Sequence, residues 1–130
     1  MDNQKRSKGQ VEDLISKKAI RFYLDTLGTG PKEAKTYILE DMVIVRLQGR
    51  LLPIERKLLQ SQVGLHLVKD IRQTLHALTT GEFMHIISDI TKHKVISTHS
   101  DISTKTGEII EIFVLESNFE NELNSKKSNL

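Results

Sequence analysis

VISTHSDISTKTGEIIEIFVL, residues 95–115, is the stretch that decides the fold class, because it has the pattern of a β-hairpin. In its first half Ile96, Thr98, Ser100 and Ile102 alternate with the residues between them, as two faces of a strand require. An apolar run returns after a short turn, where Gly107 supplies the positive φ that a tight loop with a bulge needs. The stretch therefore predicts two antiparallel strands.

A second hairpin is predicted further towards the N-terminus, over residues 36–49. TYIL and MVIVRLQG lie on either side of the acidic pair Glu40 and Asp41. In the second of these segments Val43, Val45 and Leu47 share one face, which is fully apolar. We expect that face to be the core face of the sheet.

The remaining apolar residues recur at helical spacing. Residues 11–27 predict a helix that ends at Gly28, Gly30 and Pro31. Residues 53–78 predict a second helix, in which Gly64 marks a kink or a break, and residues 79–81 divide it from a third helix over residues 82–92 with Thr80 as its N-cap. The candidate core positions of the second helix are Ile54, Leu58, Leu65, Val68, Ile71, Leu75 and Leu78.

These elements predict an α+β fold in the order α-β-β-α-α-β-β, with helices packed on one face of a four-stranded antiparallel sheet. Residues 1–8 are polar and basic and predict a flexible arm. Residues 9–116 are expected to form a single domain. Residues 117–130, rich in Asn and Ser, are expected to be a mostly disordered tail.

Composition excludes several classes of protein. The chain has 130 residues, with 19 Lys and Arg against 17 Asp and Glu, and it has no Cys. A disulfide framework, a cysteine zinc site and a thiol nucleophile are therefore ruled out. The apolar runs are far shorter than the roughly 20 residues that span a bilayer, and the N-terminus is not a secretory signal. We expect a cytoplasmic protein that does not insert into a membrane.

No catalytic or metal constellation stands out, and no cofactor is predicted. His99 and Asp101 share a strand face, but residues two apart are separated by nearly 7 Å, too far for a Ser-His-Asp arrangement with Ser97. A polar strand of this kind either is solvated or lines a site or a subunit contact. The candidate ligand- or partner-binding residues are Lys32, Arg46, His99, Asp101, Ser103, Thr104 and Lys105. Gly28, Gly30, Pro31 and Gly107 are assigned structural roles in turns.

Basic residues also gather around the second strand and the helix that follows it, at Arg46, Arg50, Arg56 and Lys57. They can form a cationic patch, but only 5% of the residues are aromatic, so the stacking groups typical of nucleic-acid binding are scarce. Nucleic acid is therefore not an expected partner, although binding of nucleic acid stays open as an alternative function.

Two segments resemble the MpsC-like family, formerly a domain of unknown function: GPKEAKTYILEDMVIVRLQGRLLPIERKL, residues 30–58, and THSDISTKTGEIIEIFVL, residues 98–115. The resemblance spans almost the whole domain. It implies a bacterial protein associated with a Na⁺-translocating, membrane-potential-generating system, whose membrane components are similar to inorganic-carbon (bicarbonate) uptake machinery. It carries over no catalytic residue.

The resemblance leads to a first functional hypothesis, a cytoplasmic, non-enzymatic accessory or regulatory protein of such a system that acts through protein–protein contacts. The expected partners are a second copy in a homodimer and membrane-transporter subunits, which would hold the protein at the inner face of the membrane. The alternative is a small-anion- or nucleotide-binding domain, with catalysis at the candidate residues above.

Overall fold

The structure is a computed structural model that describes residues 6–49 and 51–128. Its elements are α1 (Lys8–Leu27), β1 (Glu33–Leu39), β2 (Met42–Gln48), α2 (Pro53–Leu58), α3 (Gln62–Thr91), β3 (Val95–Ile102), β4 (Ile109–Leu115) and α4 (Phe119–Ser128). The strands form one antiparallel sheet in the order β1-β2-β4-β3. The predicted α+β class and the four-stranded sheet are confirmed.

The core lies between one face of this sheet and the helices α1, α3 and α4. Val43, Val45 and Leu47 are buried on that face, as their alternation predicts. The Phe83 ring of α3 lies 5.0 Å from Phe113 of β4 and 5.4 Å from Phe22 of α1, measured between ring centroids. An aromatic centre therefore joins the sheet to two helices.

The predicted turns form as expected from their residues. Gly28 ends α1 with φ 75°, and Gly107 has φ 80° in the β3–β4 loop. Glu40 and Asp41 connect β1 to β2, with Leu39 directly opposite Met42. Glu40 takes the left-handed conformation at φ 56°.

The predicted division of the central helical region at residues 79–81 is wrong, whereas the predicted kink or break at Gly64 lies close to the observed break. Residues 79–81 lie inside α3, a continuous helix of 30 residues, so Thr80 is not an N-cap. The break lies between α2 and α3, where the Ser61 hydroxyl caps α3 by accepting the Gly64 amide hydrogen at 2.9 Å. A Cβ atom on Gly64 would lie 1.8 Å from the carbonyl oxygen of Leu58, so glycine permits the close approach of the two helices here.

The C-terminal segment also differs from the prediction, because residues 119–128 form helix α4 instead of a disordered tail. Phe119 and Leu123 are buried in the core, and Lys8 contacts Glu120 at 2.7 Å. The two apolar side chains, four residues apart, lie on one face of this short helix, and the backbone amide of Glu120 also donates to the Glu40 carbonyl. At the other end, α1 begins within the predicted arm, with Ser7 as its cap. Residues 1–5, the rest of that arm, lie outside the described residues.

Candidate functional site

A groove of about 650 Å³ lies between the first half of α3 and one end of the sheet. We call it the α2–α3 groove. Its walls come from the end of α1 with the loop after it, from α2 and α3, and from residues near the ends of β2, β3 and β4. Its apolar lining includes Leu27, Pro31, Leu47, Leu52, Ile54, Leu58, Val68, Ile71, Leu75, Ile102 and Ile109.

Several of these groove residues are exposed, although their periodicity predicts a core face. The exposed fraction is 67% for Ile54, 52% for Ile71 and 37% for Leu75. Of the candidate core positions in this region, Val68 is buried, whereas Leu78 is 73% exposed. The helical spacing identified an apolar face correctly, but much of that face is open in this chain.

Helix α2 is held against α3 by a charged pair. The Arg72 guanidinium donates two hydrogen bonds to the Glu55 carboxylate, both at 2.6 Å, and both side chains are largely buried. The Arg72 hydrogen bonds are the main reason why the pKa of Glu55 lies below its ordinary value. The same carboxylate accepts the Leu52 amide hydrogen at 2.8 Å, so it also caps the start of α2.

A buried carboxylate lies behind the groove. Glu111 of β4 is 2% exposed and points to the core face of the sheet. Its Oε2 accepts a hydrogen bond from the Tyr23 hydroxyl at 2.9 Å, and its Oε1 lies 2.7 Å from His76 Nε2. The hydrogen bond to Glu111 is the main cause that raises the pKa of His76. Burial, followed by the Glu111 charge, raises the pKa of Tyr23.

These contacts satisfy the charged groups that line the groove. Arg72 is paired with Glu55, and His76 with Glu111; Asp101, at the rim, accepts the Ile102 amide hydrogen at 2.8 Å. The raised pKa of His76 keeps a proton on its ring to higher pH, and the raised pKa of Tyr23 keeps its hydroxyl protonated, so both remain hydrogen-bond donors to Glu111. The groove therefore presents mainly apolar surface to a ligand. In the described part of the chain, no group of three or more His, Asp or Glu side chains is placed to hold a metal ion.

Three of the predicted site residues share one face of the sheet, opposite the core. Arg46 and Asp101 both pair with Ile110 of β4, one from each side, and His99 pairs with Ile112. The α carbons of Arg46 and Asp101 are therefore two strand spacings apart, about 10 Å. Arg46 Nε donates to Glu108 at 2.5 Å. The three residues lie on a shared surface and not in one closed pocket.

The other predicted site residues lie at one end of the sheet. Lys32 precedes β1 and is exposed, with its amide donating to the Gln48 carbonyl at 2.8 Å. Ser103, Thr104 and Lys105 form the β3–β4 turn, where the Ser103 hydroxyl accepts the Lys105 amide hydrogen at 3.2 Å. These hydrogen bonds stabilise the loop before β1 and the β3–β4 turn. Ligand or partner binding at these residues stays a prediction.

The basic cluster considered for nucleic acid is divided. Arg46 lies on the sheet, while Arg56 of α2 donates to the Leu51 carbonyl at 3.2 Å and Lys57 is exposed. Arg50 lies outside the described residues. The described members therefore lie on two different elements, β2 and α2.

The groove and the hydrogen-bonded residues Tyr23, His76 and Glu111 behind it were missed because their parts are distant in the sequence. Tyr23 and Glu111 are 88 residues apart, and His76 is 35 residues from Glu111. One signal was available: Glu111 interrupts the apolar run IIEIFVL at a position that shares a strand face with Phe113 and Leu115. A carboxylate on a core face requires hydrogen-bond donors around it.

Fold and groove together define a small α+β protein with an open apolar groove whose charged lining groups are paired. The chain belongs to the MpsC family: the family model described as "Na⁺-translocating membrane potential-generating system (MpsC)" matches residues 7–117. The uncharacterized protein YbcI of Bacillus subtilis (strain 168) is 40% identical over 119 residues, which cover 92% of this chain and 96% of YbcI. No solved structure matches the chain.

The family confirms the resemblance drawn from residues 30–58 and 98–115, and its description implies involvement in a Na⁺-translocating, membrane-potential-generating system. Among the helices of the described residues, none combines the length and the apolar character that crossing a membrane requires.

Proposed function

We propose that this protein is a non-enzymatic accessory subunit of a Na⁺-translocating, membrane-potential-generating system, and that it binds an apolar segment of a partner subunit in the α2–α3 groove. The observation that carries the proposal is the exposure of Ile54, Ile71 and Leu75 around a groove whose inner charged residues are already paired with each other or with Glu111. Apolar side chains held open in this way favour a protein contact.

The shape and chemistry of the groove fit an amphipathic or apolar helix. Two helices, α2 and α3, flank it, and helix-in-groove recognition uses apolar anchors spaced along one face of the incoming helix. A charged ligand would have to displace Arg72 from Glu55 or His76 from Glu111, at the cost of leaving a largely buried partner unpaired. An apolar segment needs no such exchange.

The family supports the choice of partner. Its description names a Na⁺-translocating membrane-potential-generating system, so the membrane components of that system are the first candidates to supply the apolar segment. An accessory role in inorganic-carbon uptake coupled to that system is part of the same proposal.

The proposal is tested with a matched pair of variants on α3. Ile71→Asp places a charge inside the groove, whereas Leu78→Asp places the same charge on the same helix at a side chain that does not line the groove. Tagged proteins are added to solubilised membranes that contain the system, and the co-purified membrane components are measured. We expect Ile71→Asp to reduce recovery at least about tenfold, as loss of a central apolar anchor does, and Leu78→Asp to retain it.

Both exposed positions tolerate a polar side chain, so circular dichroism should show the same helix content in both variants. Equal recovery with the two variants would place the contact elsewhere on the protein. If the wild-type protein recovers no component of the system, the proposal is overturned.

A further inference from the structure

The sheet face turned away from the helices, here called the open face, is unusually apolar. Antiparallel sheets with one solvated face normally alternate apolar residues inside with polar residues outside. In this protein the central strands β2 and β4 place Met42, Ile44, Ile112 and Val114 on the open face. Tyr37, Leu39 and Ile110, also on this face, are 46%, 48% and 39% exposed.

The strand register arranges the open face in three rows, which in the strand order β1-β2-β4-β3 are Lys35-Arg46-Ile110-Asp101, Tyr37-Ile44-Ile112-His99 and Leu39-Met42-Val114-Ser97. Each row is apolar at its centre, apart from Arg46, which is paired with Glu108. The first row has a cation, Lys35, at one end and an anion, Asp101, at the other. Lys35 also lies 4.0 Å from the exposed Glu33 carboxylate on its own strand, a weak surface pair that leaves its ammonium accessible to a partner.

We propose that the open face binds a second copy of this chain, with the two sheets stacked face to face around a two-fold axis parallel to the strands. The axis passes between β2 and β4, so β1 of each copy lies over β3 of the other. Every row then meets itself in reverse. Lys35 faces Asp101 of the partner subunit, and Ile44 faces Ile112 of the partner subunit.

Charge complementarity selects this axis. A two-fold axis perpendicular to the strands would place the charged first row over the apolar third row, with Lys35 over Leu39 of the partner subunit. Burying charges against apolar side chains without a partner is unfavourable. With the axis parallel to the strands, the two ends of the first row form two opposite-charge contacts, and the apolar centres meet each other.

Pairing through the edges of the sheet is disfavoured by the structure. At edge strand β1, the Ile38 amide donates to the Glu12 carboxylate at 2.8 Å, and the Glu40 amide just beyond it donates to Glu120 at 2.8 Å. Edge strand β3 has a register irregularity between Val95 and Ser97. Occupied amides and bulges are devices that block the addition of another strand.

The contact is small. Four strands at about 4.8 Å each and seven residues at about 3.4 Å each give a face of roughly 19 by 24 Å, so two copies together bury about 900 Å², just below the roughly 1,000 Å² of specific complexes. We therefore expect a reversible dimer with a dissociation constant in the micromolar range.

The test is a charge exchange, measured by sedimentation equilibrium over a concentration series of the full chain. In a dimer of the Lys35→Asp variant, both contacts between positions 35 and 101 place two acidic side chains together. In a dimer of the Asp101→Lys variant, both contacts place two basic side chains together. Each variant alone should dimerise about tenfold more weakly than the wild type. An equal mixture of the two should regain a dissociation constant within about threefold of the wild-type value, because both contacts of the mixed dimer join opposite charges.

Lys69→Asp, an exposed charge reversal on α3, is the matched control and should leave the dissociation constant unchanged. A wild-type protein that is monomeric at several hundred micromolar overturns the proposal, and so does a mixture that dimerises no better than its components. Ile110→Asp on the open face gives a second readout, since it should weaken the dimer whichever charges are present. Groove binding is measured separately with Ile71→Asp, so failure of the dimer leaves the proposed function standing.

Discussion

Oε1 of Glu111 lies 2.7 Å from Nε2 of His76, a contact that ties the middle of β4 to the middle of α3. The first half of α3 extends along the groove beyond the core residues Phe83 and Ile87. Without a polar anchor at this point, that half would be held mainly by α2. The contact therefore fixes one wall of the groove relative to the sheet.

Stability should depend on pH through this contact. The pKa of His76 is raised above the ordinary value of 6.5, chiefly by its hydrogen bond to Glu111. A raised folded-state pKa means that the stabilisation is complete below the unfolded-state pKa and is lost as the pH rises through the folded-state pKa. We expect His76→Gln to lower the free energy of unfolding by roughly 0.5 to 1 kcal/mol more at about pH 5.5 than at about pH 9, after allowance for solvent screening.

Urea denaturation at the two pH values measures this difference. His66→Gln is the control, because His66 is an exposed residue on the same helix. An equal pH dependence of the two variants would show that the Glu111–His76 contact does not stabilise the fold through its charge.

Replacing either of two α3 glycines by alanine should change the free energy of unfolding, but in opposite directions. Gly64→Ala would place a Cβ atom 1.8 Å from the Leu58 carbonyl oxygen, so the turn between α2 and α3 must move. Gly81 has open space around its Cβ position and lies in the same helix. We expect Gly64→Ala to lower the free energy of unfolding by about 2 kcal/mol or more, and Gly81→Ala to raise it by about 0.5 to 1 kcal/mol. A Gly64→Ala variant with an unchanged free energy of unfolding would contradict the close approach of the two helices.

The final helix should contribute to stability through Phe119, which is 5% exposed. Its ring lies 5.6 Å from that of His93, measured between centroids. Phe119→Ala should lower the free energy of unfolding by about 3 kcal/mol, in the range for large-to-small core substitutions. Asn121→Ala, an exposed position on the same helix, should change it by less than about 0.5 kcal/mol. If both variants are equally stable, α4 is not docked on the core.

Much of the fold could be predicted because its signals are local. Alternation placed Val43, Val45 and Leu47 on the core face, and spacing of three and four residues located α1. The sequence placed one kink or break at Gly64 and another division at residues 79–81, because a glycine interrupts the helical pattern at both places. Only the approach of Leu58 to Gly64 distinguishes them.

The candidate site was harder to predict, since it depends on contacts between distant residues and on what stays uncovered. The spacing of Ile54, Ile71 and Leu75 identifies an apolar face but carries no information on whether another element covers it. For the open face of the sheet, the sequence did identify residues that lie together. The predicted site residues Arg46, His99 and Asp101 do share it, and only the strand order shows that Arg46 and Asp101 lie on opposite sides of β4.

The most direct test of the central claim, that the α2–α3 groove serves a membrane-potential-generating system, is the Na⁺-dependent membrane potential of cells that lack this protein. The potential is measured with a voltage-sensitive dye after the cells receive the wild-type, Ile71→Asp or Leu78→Asp gene at equal protein level. We predict that the wild type and Leu78→Asp restore the potential and that Ile71→Asp does not. Full restoration by Ile71→Asp would contradict the account.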